Sequence, residues 1–220
     1  MDKKKAEAGM MILPRLTFSV VIISFVSSFL PEAASVFVYD REAILNGELW
    51  RLFSSHWVHF TGNHFIYNMI AFIAAGWLIE KNSYCQFLLL YISMAFFICA
   101  ALLIFSPGMT YYGGLSGIAC GLIYYCALLK NREQAWGAVC QFVIIGVPIK
   151  IAIELYSNDS ILPYLGNQPF VIMPASHIAG VVVALLFYLS VNHSKKSEKD
   201  PSANIRWVPV PVRRLLGRPG

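Results

Sequence analysis

The chain has 220 residues, 57% of them hydrophobic and only 13% charged, with a formal net charge of +5. Soluble domains carry about 25% charged residues, so this composition excludes a soluble globular enzyme and describes an integral membrane protein with one polytopic domain. The basic residues sit in tails and short loops rather than in one patch, which removes nucleic acid as a partner and makes the lipid bilayer the surroundings.

The first apolar segment covers about 13–30 and ends at Pro31. Lys3-Lys4-Lys5 before it and Ala33-Ala34-Ser35 after it also fit a secretory signal, the alternative reading of that stretch. Trp50-Arg51 follows in the first loop, where the bland reading is a pair of interfacial anchors. His56, His59 and His64 then crowd the start of the second segment, 64–79. His64 and Asn68 are one turn apart and share a helix face. They read either as a polar cap or as donors aimed at a developing oxyanion.

A third segment runs 84–105, and Pro107-Gly108 breaks it. Tyr112-Gly113-Gly114-Leu115-Ser116-Gly117 then places a serine among three glycines at the mouth of the fourth segment, 115–129. Lys130-Asn131-Arg132 closes that segment. The fifth, 135–154, ends in Lys150 and Glu154, four apart and read as a helix-end pair. The stretch 163–169 separates it from the sixth, 174–191, which opens Ser176-His177-Ile178-Ala179-Gly180. A histidine in lipid is costly and by default marks function. The domain organisation expected is an N-terminal tail at 1–12, a six-helix membrane domain at 13–191 and a basic, disordered tail at 192–220.

Six segments put both termini on one side. Fourteen of the 17 basic residues fall on that side and three (Arg41, Arg51, Lys150) on the other, so the positive-inside rule makes both termini cytoplasmic. Segments two, four and six then all run inward from the outer face. His64, Asn68, Ser116 and His177 each lie early in their segments and hence at similar depth. The fourth segment spans about 22 Å against a core of about 30 Å, which sets Ser116 about 8 Å below the outer boundary. Water must reach it through a depression, and the loop 106–114 is the non-helical backbone expected to line that depression.

Gly117 and Gly121 are four apart, as are Ser176, Gly180 and Ala184. Such ridges let two membrane helices approach closely, the approach a serine on one helix needs to meet a histidine on another. Taken singly, Ser116 reads as a packing residue and His177 as a structural hydrogen-bonder; taken together at matched depth they read as a hydrolytic dyad. Cys85, Cys99, Cys120, Cys126 and Cys140 all lie within or beside apolar runs, which argues against a disulfide framework. No Cys/His spacing resembles a metal site, and no cofactor is expected.

These motifs, in this order, resemble the rhomboid intramembrane serine proteases over about 13–191. Trp50-Arg51 fits the first-loop motif, His59, His64 and Asn68 the second-helix pattern, Gly114-Leu115-Ser116-Gly117 the GxSG signature, and His177-Ile178-Ala179-Gly180 the sixth-helix motif. The resemblance implies an all-α, six-helix bundle that cleaves a transmembrane protein substrate. It implies Ser116 as nucleophile and His177 as general base, without a third acid. His64, Asn68 and the turn at Gly114 and Ser116 would form the oxyanion hole. Trp50, Arg51, His59, Gly117, Gly121 and Gly180 would carry structural roles in that function.

The short form and the Trp50-to-Asn68 run are most similar to the rhombosortase branch, which implies a bacterial inner-membrane location and substrates with Gly-Gly C-terminal anchors. One position departs from the family. Cys120 stands where many rhomboids carry a tyrosine that stacks under the histidine, so here other groups must orient His177. Two other functions compete. One is an inactive rhomboid-like protein that binds membrane clients, against which the intact Ser116 and His177 argue. The other is a small transporter, which would need inverted-repeat symmetry and intramembrane carboxylates on the early segments.

Overall fold

The computed structural model describes residues 13–161 and 172–199, with side chains to 193 in the last helix. The expected tail at 1–12, the 163–169 break and the tail beyond 199 lie outside the described residues.

Each apolar segment forms a helix, joined by short elements in the first loop. The order is α1 (Arg15–Phe29), α2 (Pro31–Phe37), β1 (Tyr39–Asp40), α3 (Arg41–Leu45), α4 (Arg51–Ser54), a 3₁₀ turn (Ser55–Trp57), α5 (Gly62–Asn82), α6 (Tyr84–Phe105), β2 (Tyr111–Tyr112), α7 (Ser116–Lys130), α8 (Gly137–Ser157) and α9 (Pro174–Lys199). The expected all-α membrane fold holds apart from one small ribbon. β1 and β2 pair antiparallel, Tyr39 with Tyr112 and Asp40 with Tyr111, and so tie the first loop to the loop before Ser116.

Among the described residues, three helices are long and apolar enough to cross a membrane: α6, α8 and α9 as far as His193. The pair α1 and α2, bent by 110° at Leu30, makes a fourth if taken as one span, and α7 is a shorter apolar helix. α9 continues past the expected end at 191. The apolar run stops there, but residues 192–199 contain neither glycine nor proline, and polar residues such as Lys and Glu sustain a helix. α5 begins two residues earlier than the apolar run, because the Thr61 hydroxyl caps it by accepting from the His64 N–H.

α7 is the most enclosed helix of the bundle, with eight of its 15 residues buried. On α6, Phe87, Leu90, Met94, Ala95, Ile98, Cys99 and Leu102 are fully enclosed, in one core cluster with Leu115, Ile118 and Leu122. α1 is fastened to α5 by one buried carboxylate. Glu80 accepts from the Leu16 and Thr17 N–H groups, both at 2.8 Å, and from the Thr17 hydroxyl at 2.7 Å. This satisfies two of the orphan donors at the start of α1. Gly76 makes the approach possible, since a Cβ there would lie 2.9 Å from the Thr17 hydroxyl.

The first loop is held by Arg51. Its guanidinium is buried, donates to the Ser35 and Val38 carbonyls at 3.0 and 2.8 Å, and pairs with Glu48 at 2.7 Å. Trp50 beside it is half exposed. Arg51 therefore acts on the fold of the loop, while its neighbour faces outward.

Candidate active site

Helix α7 starts at Ser116, which is half-buried and opens onto two adjoining cavities. The first, of ≈ 290 Å³, is lined by Ser116, His64, Asn68, Cys120, Lys150, Glu154 and His177. The second, of ≈ 410 Å³, is lined by Ser116 and His64 together with loop residues Ser106, Gly108, Met109 and Tyr111–Gly113. The loop expected to line a water-filled depression does line a cavity at the serine. The four polar residues placed at matched depth by the sequence come to one cavity.

The loop before Ser116 has a fixed shape. Gly114 has φ +133°, a conformation open to glycine, and a Cβ there would lie 2.5 Å from His64 Cε1. Its N–H donates to the Ser55 carbonyl at 3.2 Å, so that donor is not turned to the cavity. Its carbonyl accepts from the Tyr112 hydroxyl at 3.2 Å and faces His56 Nδ1 at 3.3 Å. The next N–H, of Leu115, donates to His59 Nε2 at 3.3 Å. His59 therefore carries its proton on Nδ1, which faces the Trp57 carbonyl at 3.2 Å.

His56 and His59 are both buried, and burial lowers both pKa values, that of His59 to about 3. Each ring is thus a neutral brace for the loop at ordinary pH. His59 also packs edge-on to His64, ring centres 5.1 Å apart. Burial raises the pKa of Tyr112, whose phenol stays protonated within reach of the Ser116 and Ser176 hydroxyls.

The N–H of Ser116 is the first of α7, where helix donors have no intrahelical partner and the dipole favours negative charge. Asn68 lines the same cavity, and its buried side-chain nitrogen has no hydrogen-bond partner among the described residues. A donor left unmade in a buried site is costly unless something arrives to use it.

Helices α7 and α9 meet backbone to backbone. A Cβ on Gly117 would lie 2.7 Å from the Ser176 carbonyl oxygen, and one on Gly121 would lie 2.5 Å from that of Gly180. A Cβ on Gly180 would overlap the carbonyl oxygen of Gly117. The small-residue ridges of the sequence interlock here and bring His177, one turn into α9, to the cavity that Ser116 lines.

The helix-end pair of the sequence is present but incomplete as read. Lys150 Nζ lies 2.7 Å from Glu154 Oε2, and the same oxygen lies 2.9 Å from His177 Nδ1. Lys150 Nζ is itself 3.0 Å from that nitrogen. A carboxylate, which the sequence reading did not place here, therefore sits on the histidine. Sequence reasoning missed this because it paired Glu154 only with its neighbour on the same helix. The signal was there, since an acidic residue within an apolar run marks function as a histidine does. It also missed the bracing role of His56 and the proximity of Tyr112 to Ser116.

Among the described residues no group of three His, Cys, Asp or Glu side chains is placed to hold a metal ion. The five cysteines are free thiols. A family model described as Rhomboid domain matches residues 46–193. No curated protein matches the chain.

Proposed function

Because the chain belongs to the rhomboid family, generally serine proteases of the membrane interior, we propose that it is an intramembrane serine endopeptidase with Ser116 as nucleophile and His177 as general base. The single observation that carries this is the convergence of Ser116, His177, His64 and Asn68 on one cavity, from three helices, with Ser116 at a helix N-terminus. An inactive client-binding relative would have no need of that set.

The reaction follows from the groups present. His177 is engaged through Nδ1, which leaves Nε2 to take the Ser116 proton as Oγ attacks a peptide carbonyl. The Ser116 N–H, the Asn68 side-chain nitrogen and His64 receive the oxyanion. The imidazolium then gives its proton to the leaving amine. Water entering past the 106–113 loop hydrolyses the acyl-enzyme, with His177 again as base.

All six apolar segments cross the bilayer in this reading, and both termini are cytoplasmic. Ser116 then lies near the outer face and reaches only the outer part of a substrate helix. Attack requires an extended stretch of substrate, and glycine costs a helix about 1 kcal/mol relative to alanine. The substrate is a single-pass membrane protein with a Gly-Gly C-terminal anchor, cut so that it is released outward from a bacterial inner membrane, as in the rhombosortase branch.

The test is co-expression with a reporter whose membrane anchor carries Gly-Gly, beside the same reporter with Leu-Leu, followed by sequencing of the new terminus. The Gly-Gly reporter should be cut near its outer end and the Leu-Leu reporter spared. Ser116→Ala should lose both cleavage and labelling by a fluorophosphonate while the protein stays inserted, a drop of about 10³-fold or more. Full cleavage by Ser116→Ala would overturn the nucleophile, and equal cleavage of both reporters would overturn the specificity.

A further inference from the structure

We propose that Glu154 is the positioning residue for His177, so that the dyad is in effect a Ser116–His177–Glu154 relay, with Lys150 as the counter-charge of the carboxylate. The proposal rests on the reading of Ser116 and His177 given above.

The argument begins with burial. The Glu154 side chain is 2% exposed although it stands on a helix that buries few residues. A buried carboxylate persists only with charged or hydrogen-bonded partners. It has two, both on Oε2: Lys150 Nζ at 2.7 Å and His177 Nδ1 at 2.9 Å.

The other titratable side chains that line the same cavity are His64 and Tyr67 from α5, Cys120 from α7 and Lys150 from α8. The Cys120 thiol is a weak hydrogen-bonding group. Among the described residues, Glu154 is the strong acceptor facing Nδ1.

The tautomer decides whether the geometry is productive. Nδ1 cannot both donate to Glu154 and accept from Lys150. If Nδ1 holds the proton and donates to Glu154, Nε2 keeps its lone pair and can act as the base. If Lys150 donates to Nδ1, the proton sits on Nε2 and the ring cannot receive one from serine. The first arrangement satisfies the buried carboxylate. It costs Lys150 little, because its side chain is 29% exposed and can turn its remaining hydrogens to water. The carboxylate also stands beside the imidazolium that forms when the serine proton arrives, where it opposes the Lys150 charge.

The experiment uses the full chain in bilayers. It compares wild type, Glu154→Gln, His177→Ala and the double variant Glu154→Gln/His177→Ala. The readouts are kcat and KM on a cleaved membrane reporter, the rate of fluorophosphonate labelling, and the thermal midpoint. Glu154→Gln is expected to lower kcat and labelling by about 10²–10⁴-fold, with KM and midpoint unchanged. In the His177→Ala background it should change nothing, since Glu154 acts only through the imidazole.

Should Glu154→Gln melt early, Lys150→Met/Glu154→Met replaces the ion pair by apolar side chains, an exchange that commonly preserves folding. It should fold and show the same loss of kcat. Wild-type kcat in whichever of these variants folds would overturn the relay. So would a further loss from Glu154→Gln in the His177→Ala background. Cleavage by Ser116→Ala would instead overturn the underlying protease reading, whatever Glu154→Gln does.

Discussion

The α7–α9 pair and α8, which meet at the cavity, differ in how they are held. α7 and α9 touch through backbone, glycine against carbonyl, at three successive points. α8 has 21 residues but buries only Cys140, Ile151 and Glu154, whereas the 15-residue α7 buries eight. Much of the rest of α8 turns outward, with Phe142 and Ile145 prominent, as suits a lipid-facing surface. Pro148 inside it also removes one backbone hydrogen bond nearly two turns before Glu154. Under the proposed mechanism, Ser116 and His177 are therefore set by rigid packing, while the carboxylate proposed to orient His177 arrives on a lightly seated helix through one charged cluster. Chemistry and its adjustment are carried by different kinds of contact.

The largest effect expected on this contrast comes from Gly180→Val. Its Cβ would overlap the Gly117 carbonyl oxygen, a backbone atom with nowhere to go. Overpacking costs about 1–3 kcal/mol or more, and here the relief is separation of α7 from α9. Both thermal midpoint and cleavage should fall together. A stable, active Gly180→Val would break the idea that backbone contact sets the dyad.

Asn68→Ala sharpens the contrast from the other side. The Asn68 nitrogen has no partner among the described residues, so the fold loses no hydrogen bond at that atom. If it serves the oxyanion, kcat should fall by about 10²–10³-fold while the midpoint holds. A large loss of midpoint with proportionate activity would mark Asn68 as a structural residue of α5.

Helix positions were legible because each apolar run is long and ends at a proline, an asparagine or a basic loop. Gly62–Asn82, Tyr84–Phe105 and Ser116–Lys130 lie within three residues of the expected bounds. The convergence of His64, Asn68, Ser116 and His177 was legible too, since helices running the same way carry early residues to the same depth. The first loop was not. Its shape depends on Arg51 reaching carbonyls 13 and 16 residues back, and no periodicity encodes such a bond. Glu154 was misread for a related reason. A Lys–Glu spacing of four explains itself locally, so nothing in it points to a histidine 23 residues away on another helix.

The smallest effect expected is at the outer face of α8. Phe142 is 77% exposed, and in a bilayer that surface meets acyl chains whether the residue is phenylalanine or alanine. Phe142→Ala should change stability by no more than about 0.5 kcal/mol and leave kcat at the wild-type value. The measurement is a thermal midpoint with a cleavage rate in the same bilayer. If α8 is seated mainly by Glu154 and its two partners, trimming its lipid side cannot move the carboxylate from His177. A clear loss of cleavage in Phe142→Ala would mean that the lipid-facing surface helps fix the tilt of α8. The line between a rigid dyad and an adjustable orienting helix would then have to be redrawn to include the bilayer itself.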